Sequence, residues 1–181
     1  MKQSHVFLLL FVVSLALFMS ACSSKPTAMI QRTEEARQEA VNEHADQFAP
    51  EDWGAAEQSW QEASTQINAG KYGPASTLLL KAQTRFQKAR DIAKGKREQA
   101  IQKITADQMG ATARLEALKK DPGFNKLPAA RKKALDDRVK EIEDSIAKVG
   151  ELLKNSQYSE AQLLAGKAFR DAWEAQQEVL K

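Results

Sequence analysis

The sequence is poor in the residues that metal centres and nucleophilic active sites need. It has one cysteine and two histidines among 181 residues, so no intramolecular disulfide can form and side-chain burial must stabilise the fold. His44 has only the carboxylates Glu43 and Asp46 beside it, whereas a transition-metal site takes at least two soft or borderline ligands. No serine lies in a recognisable triad pattern, and no glycine-rich phosphate loop occurs. We therefore predict a protein without metal, cofactor or enzymatic activity.

Strand-like alternation of apolar and polar residues is also almost absent. Apolar residues instead recur every three or four positions, which is typical of a helix that buries one face. Proline, glycine or polar turns interrupt this pattern at residues 49–50, 70–74, 121–123 and 155–157. The sequence predicts an all-α fold, an elongated bundle of about five helices, with two related helical hairpins joined by a long helix. We expect the first helix over residues 28–48, and a bend of the long helix at Gly95 or Gly110.

An internal repeat at an offset of 86 residues relates the two predicted hairpins. The aligned positions of the first copy are Trp53, Ala56, Trp60, Ala63, Ile67, Tyr72, Ala75, Leu78, Lys81, Ala82 and Ala89. Those of the second copy are Val139, Ile142, Ile146, Val149, Leu153, Tyr158, Ala161, Leu164, Lys167, Ala168 and Ala175. The pattern predicts large residues on the first helix of each hairpin and alanines on the second, with a tyrosine at each turn. Convergence on a heptad pattern is the alternative to duplication.

The N-terminal segment combines one lysine, Lys2, with an apolar run of about fourteen residues at positions 6–19. The run is shorter than the roughly twenty residues of a membrane-spanning helix, which favours a cleaved signal. Its end, Leu15-Ala16-Leu17-Phe18-Met19-Ser20-Ala21-Cys22, resembles the cleavage and acylation site of bacterial lipoproteins. The resemblance implies cleavage between Ala21 and Cys22 and a lipid on the Cys22 thiol. An ordinary secretory signal with a chance cysteine is the alternative.

This resemblance also implies an address and a division of the chain. Ser23, which follows the cysteine, resembles the outer-membrane class of lipoproteins, so we expect a lipid-anchored protein of the bacterial outer membrane that faces the periplasm. The expected segments are a signal peptide (1–21), a lipidated tether (22–27), a first helix with its hairpin (28–93), a connecting helix and loop (94–127) and a second hairpin (128–181).

Charge is distributed unevenly along the chain. Residues 81–133 carry fifteen basic and five acidic side chains, whereas residues 27–70 carry two basic and nine acidic ones. One interpretation is a patch for anionic envelope polymers or lipid headgroups. Its candidate residues are Arg85, Lys88, Lys94, Lys96, Arg97 and Lys103. The other interpretation is a solvated helix that complements the acidic N-terminal helices. Few aromatic residues interleave with the basic ones, which argues against a nucleic-acid partner.

A second resemblance concerns residues 34–94. Their alanine-rich helices, the Ala49-Pro50-x-x-Trp53 pattern and the Gly70-x-Tyr72-x-x-Ala75 turn resemble a family of uncharacterised helical-hairpin domains in bacterial envelope lipoproteins, and more distantly a tetratricopeptide hairpin. The resemblance implies location and fold and supplies no functional residues. The terminal Lys181 is similar to the C-terminal lysine of the murein-linked lipoprotein, which implies a candidate covalent link to peptidoglycan, with a plain chain end as the alternative.

The sequence therefore supports two hypotheses of function. The first is a structural, tethering or adaptor protein of the envelope, held to the membrane by the lipid on Cys22 and acting on a protein partner or peptidoglycan. The second is a binding module that holds peptidoglycan, lipopolysaccharide or phospholipid through the basic middle helix. The sequence does not specify the oligomeric state.

Overall fold

The structure is a computed structural model, and it describes residues 24–179. Over these residues the chain forms helices and the turns between them, without a strand. The helices are α1 (Thr27–Asn42), α2 (Ala45–Phe48), α3 (Pro50–Asn68), α4 (Tyr72–Lys120), α5 (Pro122–Lys126), α6 (Ala129–Lys154) and α7 (Tyr158–Val179). The predicted all-α class is confirmed. Of the helices just given, none is long and apolar enough to cross a membrane.

The chain divides into two compact units between Ala93 and Lys94, a point that lies inside α4. The described part of the first unit contains α1, α2, α3 and the beginning of α4. The second unit contains the rest of α4 together with α5, α6 and α7. Each unit therefore has one hairpin, α3 with the start of α4 in the first unit and α6 with α7 in the second.

The predicted first helix over residues 28–48 is wrong, because the chain breaks at Glu43 and His44. His44 has a φ of 57°, the left-handed conformation that ends α1. Neither glycine nor proline marks this position in the sequence. The reason is burial: on one unbroken helix Ala45 would point about 140° away from Ala40, since each residue turns the helix by about 100°. The break allows both alanines to be fully buried.

The segment expected only to end the long helix forms a helix of its own, α5. Asp121 caps it by accepting a hydrogen bond from the Gly123 backbone N–H at 2.7 Å, and Pro122 occupies its first turn. Phe124 is buried in a core cluster of the second unit, together with residues of α4, α6 and α7. The short helices α2 and α5 thus raise the expected count of about five helices to seven within residues 24–179.

The long helix α4 begins at Tyr72 and continues through Gly95 and Gly110 without interruption. Gly110 has a packing role instead. A Cβ at this position would lie 2.6 Å from the Phe169 ring, so the glycine permits α7 to approach α4 closely.

The core of the first unit joins α1, α2, α3 and α4 through small side chains. Its buried members are Ala36, Ala40, Ala45, Ala49, Ala56, Ala82, Phe86, Ala89 and Ala93. The half-buried Trp53 and Trp60 of α3 pack against this cluster, and the centres of the Trp53 and Phe86 rings lie 5.3 Å apart. Buried Thr33 donates hydrogen bonds to the carbonyls of Met29 and Leu79 and so connects α1 with α4.

The second unit has two core clusters built from α4, α5, α6 and α7. The first contains Ala111, Leu115, Leu118, Phe124, Leu135, Val139, Ile142, Ala168, Ala172 and Ala175. The second contains Ile104, Val149, Leu152, Ala161 and Ala165. In this unit the aliphatic bulk comes from α4 and α6, and α7 contributes alanines to both clusters.

The turns of the two hairpins have the same geometry at the 86-residue offset. Gly70 and Ser156 both adopt positive φ, 70° and 58°. The following residues, Lys71 and Gln157, each donate a backbone hydrogen bond of 2.9 Å back into the helix, to Gln66 and to Leu152. Helices that end in this way satisfy their last carbonyls in a Schellman motif. The predicted relation between the two hairpins therefore extends to their backbone turns.

Candidate functional site

Two residues of the predicted basic patch lie in the first unit and bind their own hairpin. The Arg85 guanidinium donates hydrogen bonds to the Ala55 carbonyl at 2.7 Å and to the Ser59 hydroxyl at 3.0 Å. Lys88 pairs with Asp52 at 2.7 Å. Both side chains thus connect α4 to α3, which gives them a structural role.

The acidic helix α1 receives similar cross-links from the same unit. Arg37 pairs with Glu57 of α3 at 2.5 Å, and Arg90 of α4 binds Glu39 and its neighbour Asp91. Hydrogen bonds to Asp91 and to Glu39 raise the pKa of Arg90 above its ordinary value. The Arg90–Glu39 pair matches the second interpretation of the charge pattern, in which basic α4 complements the acidic N-terminal helices, whereas Arg37–Glu57 joins α1 to α3.

The other four patch residues, Lys94, Lys96, Arg97 and Lys103, lie on α4 in the second unit. Lys94 and Lys96 are exposed, and Arg97 is half-buried. Lys103 binds Asp107, one helical turn later, at 2.9 Å. Lys103 also lines a groove.

This groove, of about 380 Å³, lies between α4 and α7 of the second unit. Its lining consists of Lys103, Ser159, Gln162, Leu163, Gly166 and Arg170. Leu163 is 76 % exposed at the groove, and an ideal Cβ at Gly166 would lie 3.9 Å from both the Arg170 guanidinium and the Asp107 carboxylate. The groove thus combines two cations, one carboxylate close by and an exposed apolar side chain. We call it the α4–α7 groove.

Sequence reasoning missed most of the α4–α7 groove. Ser159, Gln162, Leu163 and Arg170 are far from Lys103 in the chain and lie on the polar face of α7. A signal was available, since Leu163 breaks the polar face of an otherwise regular amphipathic helix. The contact between α4 and α7 that brings these residues beside Lys103 was not visible in the pattern.

A second groove, of about 460 Å³, lies between α4 and α6 in the same unit. Leu115, Ile146 and Ala147 provide its apolar surface, and the Lys119–Glu143 ion pair of 2.6 Å crosses its rim. The position of Ile146 corresponds to that of Trp60 in the first hairpin. Both side chains pack against the core of their own unit, and Ile146 also lines this groove.

The remaining predicted site residues lie outside the described part of the chain. They are Ala21 and Cys22 of the cleavage and acylation site and the terminal Lys181. Within residues 24–179 no group of three metal-ligating side chains occurs. Trp53 and Trp60, which flank the first core, are half-buried, and Trp173 of α7 is 48 % exposed.

The comparisons with known proteins add no family to this description. No protein-family model matches the chain, and no similarity to a curated protein or to a solved structure was found.

Proposed function

We propose that the protein is a lipid-anchored helical component of the bacterial envelope, facing the periplasm from the outer membrane, and that it acts as a tether or adaptor. The observation that carries this proposal is the sequence Leu15 to Cys22, with its small residues directly before the cysteine. The fold supports a tether, because each helical unit has its own core and α4 runs continuously from one unit into the other.

The test is the loss of the acyl-accepting thiol. Cys22→Ser should leave an uncleaved or mislocalised, non-acylated protein that partitions less into the detergent phase, since acyl chains contribute about 0.8 kcal/mol for each buried methylene. Ser24→Ala, two residues away, is the matched control and should partition as the native protein does. Mass spectrometry of the processed N-terminus identifies the lipid. Equal detergent partitioning of the serine variant and the control would contradict the lipid anchor.

A second candidate function is a binding module for anionic envelope polymers, namely peptidoglycan, lipopolysaccharide or phospholipid. The observations that favour it are the exposed Lys94 and Lys96 and the two cations, Lys103 and Arg170, that line the α4–α7 groove. Binding by exposed charges weakens as salt screens them. The detergent-solubilised protein should therefore sediment with purified sacculi at low salt and be released at moderate salt, and Lys103→Gln with Arg170→Gln should weaken the sedimentation.

A further inference from the structure

The densest group of cations in the second unit lies outside the predicted patch. Residues 119–133 contain six basic side chains and one carboxylate, that of Asp121. The six are Lys119, Lys120, Lys126, Arg131, Lys132 and Lys133. They lie where α4 ends, along α5 and where α6 begins, and we call this surface the basic end of the second unit.

Part of this charge is compensated by acids of the same unit. Lys119 pairs with Glu143, Lys120 lies 3.8 Å from Glu116, and Lys132 lies 3.3 Å from Asp136. Lys132 also lies 4.0 Å from the centre of the Phe124 ring, which brings α5 against the start of α6.

Two of the other three cations, Lys126 and Lys133, are available to a partner, whereas Arg131 is partly engaged. Arg131 donates to the backbone carbonyl of Glu178 at 3.4 Å, and Lys126 and Lys133 are exposed without an ion pair to another described residue. The basic end thus keeps a positive field after its internal pairs are formed.

The helix dipole of α6 does not favour cations where these lie. The first five residues of α6 include Arg131, Lys132 and Lys133, and the first turn of the helix contains no acid. The N-terminus of a helix is the positive end of its dipole, so cations there are unfavourable. The corresponding helix α3 follows the favourable rule, with Glu51 and Asp52 in its first turn. Lys132 is compensated by Asp136 and Arg131 by the Glu178 carbonyl, whereas Lys133 occupies a position that the dipole disfavours without an ion pair to another described residue, which points to a role in binding.

The chemistry of the basic end favours an extended anionic surface. Five of its six cations are lysines, which act as point charges, whereas arginine forms the bidentate clamps that recognise a single phosphate. Its one aromatic residue, Phe124, is buried, so no ring is offered for stacking on a sugar. Clusters of four to eight lysines and arginines bind the anionic surface of a bilayer. We propose that the basic end contacts anionic lipid headgroups of the membrane that holds the anchor.

This contact rests on the proposed lipid anchor and gives it a second membrane signal. Acyl chains together with a basic patch hold a protein more firmly than either does alone. Each lysine close to an anionic bilayer strengthens surface binding by about fivefold. The contact should therefore depend on the charge of the lipid and on salt, whereas insertion of the acyl chains should not.

The experiment places a fluorescent reporter on the full chain. Cys22 is the only cysteine, and acylation blocks it, so a new cysteine carries the label alone. Asn125→Cys puts the label on α5 at the basic end, and Asn155→Cys puts it on the opposite end of α6 as the control. Both variants are reconstituted into vesicles of phosphatidylcholine, with or without phosphatidylglycerol. The readout is quenching of the label by spin-labelled lipid.

We expect the label at position 125 to be quenched on phosphatidylglycerol vesicles at low salt, released at high salt and unaffected on neutral vesicles. The double variant Lys126→Gln with Lys133→Gln should lower the ratio of protein with its basic end on the membrane to protein with its basic end off the membrane by roughly 10- to 30-fold, as measured by quenching of the label at position 125. Lys140→Gln with Lys154→Gln, which removes two exposed charges of α6 outside the basic end, should change it little. Circular dichroism verifies that all variants are folded.

Three outcomes would overturn the proposal. The first is equal quenching of the label at position 125 on charged and neutral vesicles. The second is quenching at position 155 as strong as that at position 125. The third is that added sacculi, and not charged lipid, bind the basic end and shield the label at position 125 from the spin-labelled lipid. Failure of the anchor is a separate result. Without an anchor, the protein would not float with neutral vesicles at all, whatever the label reports.

Discussion

The two hairpins bury the same pairs of positions but place the large side chain on opposite helices. In the first hairpin Ala56 and Ala63 are the small residues of α3, and Phe86 and Leu79 are the large residues of α4. At the offset of 86 residues these positions hold Ile142 and Val149 on α6 and Ala172 and Ala165 on α7. In the first hairpin a small residue of the first helix thus accompanies a large residue of the second helix, and in the second hairpin the sizes are reversed.

This exchange corrects the expectation that both copies carry large residues on their first helix. That expectation is wrong for the first hairpin, where the fully buried positions of α3 are the small ones and the tryptophans lie at its edge. The comparison teaches that a hairpin of this kind requires one large and one small side chain at each matched pair of buried positions, one from each helix. We call such a pair of positions a layer. Which helix supplies the large one is open, because a core tolerates rearrangements that keep its total volume.

The largest expected effect comes from removing the large member of a layer. Phe86→Ala should destabilise the first unit by about 3–5 kcal/mol, and Ile142→Ala should destabilise the second by about 2–5 kcal/mol, because each leaves a cavity. Leu80→Ala, at a residue 57 % exposed, is the control and should cost little. Guanidinium unfolding followed by tryptophan fluorescence measures these changes. A Phe86→Ala variant as stable as the Leu80→Ala control would show that α4 does not supply the bulk of the first core.

A smaller loss should follow from enlarging the alanines that the hairpins share. Ala82→Leu and Ala168→Leu should each overpack a buried position and cost about 1–3 kcal/mol. Lys81→Leu and Lys167→Leu place the same side chain one residue earlier, on the exposed faces of the two helices. Thermal melts compare the four proteins. Equal melting temperatures for an alanine variant and its lysine control would place the contact between the helices elsewhere.

The two turns differ in one residue and should respond in opposite directions. Gly70→Ser forces a side chain into the left-handed region and should cost about 1 kcal/mol, although no atom lies within 4 Å of its Cβ. Ser156→Gly removes the same strain and should stabilise the second hairpin by roughly 0.5–1 kcal/mol. Gly54→Ser is the control, since Gly54 lies inside α3 and the substitution there should stabilise slightly. Chemical denaturation measures the change in the free energy of unfolding for each variant. Changes of the same sign for Gly70→Ser and Ser156→Gly would contradict the matched geometry of the two turns.

The smallest expected effect concerns an exposed ion pair between Lys148 and Glu151, which the second hairpin has and the first hairpin does not. Lys148 donates a hydrogen bond of 2.7 Å to Glu151, which lowers the pKa of Glu151 and raises the pKa of Lys148. The carboxyl contribution is present above the ordinary pKa of glutamate and is lost as pH falls through the lowered value. The lysine contribution is present below the ordinary pKa of lysine and is lost as pH rises through the raised value.

Lys148→Gln should therefore return the Glu151 pKa toward its usual range, which an NMR titration of the side-chain carboxyl measures. The equivalent positions of the first hairpin, Glu62 and Thr65, cannot form this pair. An unchanged Glu151 titration would mean that the hydrogen bond does not form in solution.

Periodicity predicted the helices and the two hairpins because each buried stripe repeats with the helical period. It did not predict the break at His44, which comes from tertiary burial of Ala45 and carries no local signal. Nor did it predict the exchange of large and small residues, since a stripe shows which positions are buried and not what faces them. The α4–α7 groove depends on a contact between Lys103 and residues of α7 that are distant in sequence. The proposed acylation site rests on the sequence alone, where the order of Ala21 and Cys22 is the signal.

The most direct test of the exchange is to build it into the first hairpin. Ala56→Ile with Phe86→Ala gives this layer the side chains of Ile142 and Ala172, and a double-mutant cycle compares it with the two single variants. Unfolding is followed by fluorescence of Trp53 and Trp60 in a Trp173→Phe background. If the hairpins follow one design, the double variant is more stable than Phe86→Ala alone, and each substitution partly rescues the other. A double variant whose loss equals or exceeds the sum of the two single losses would contradict it.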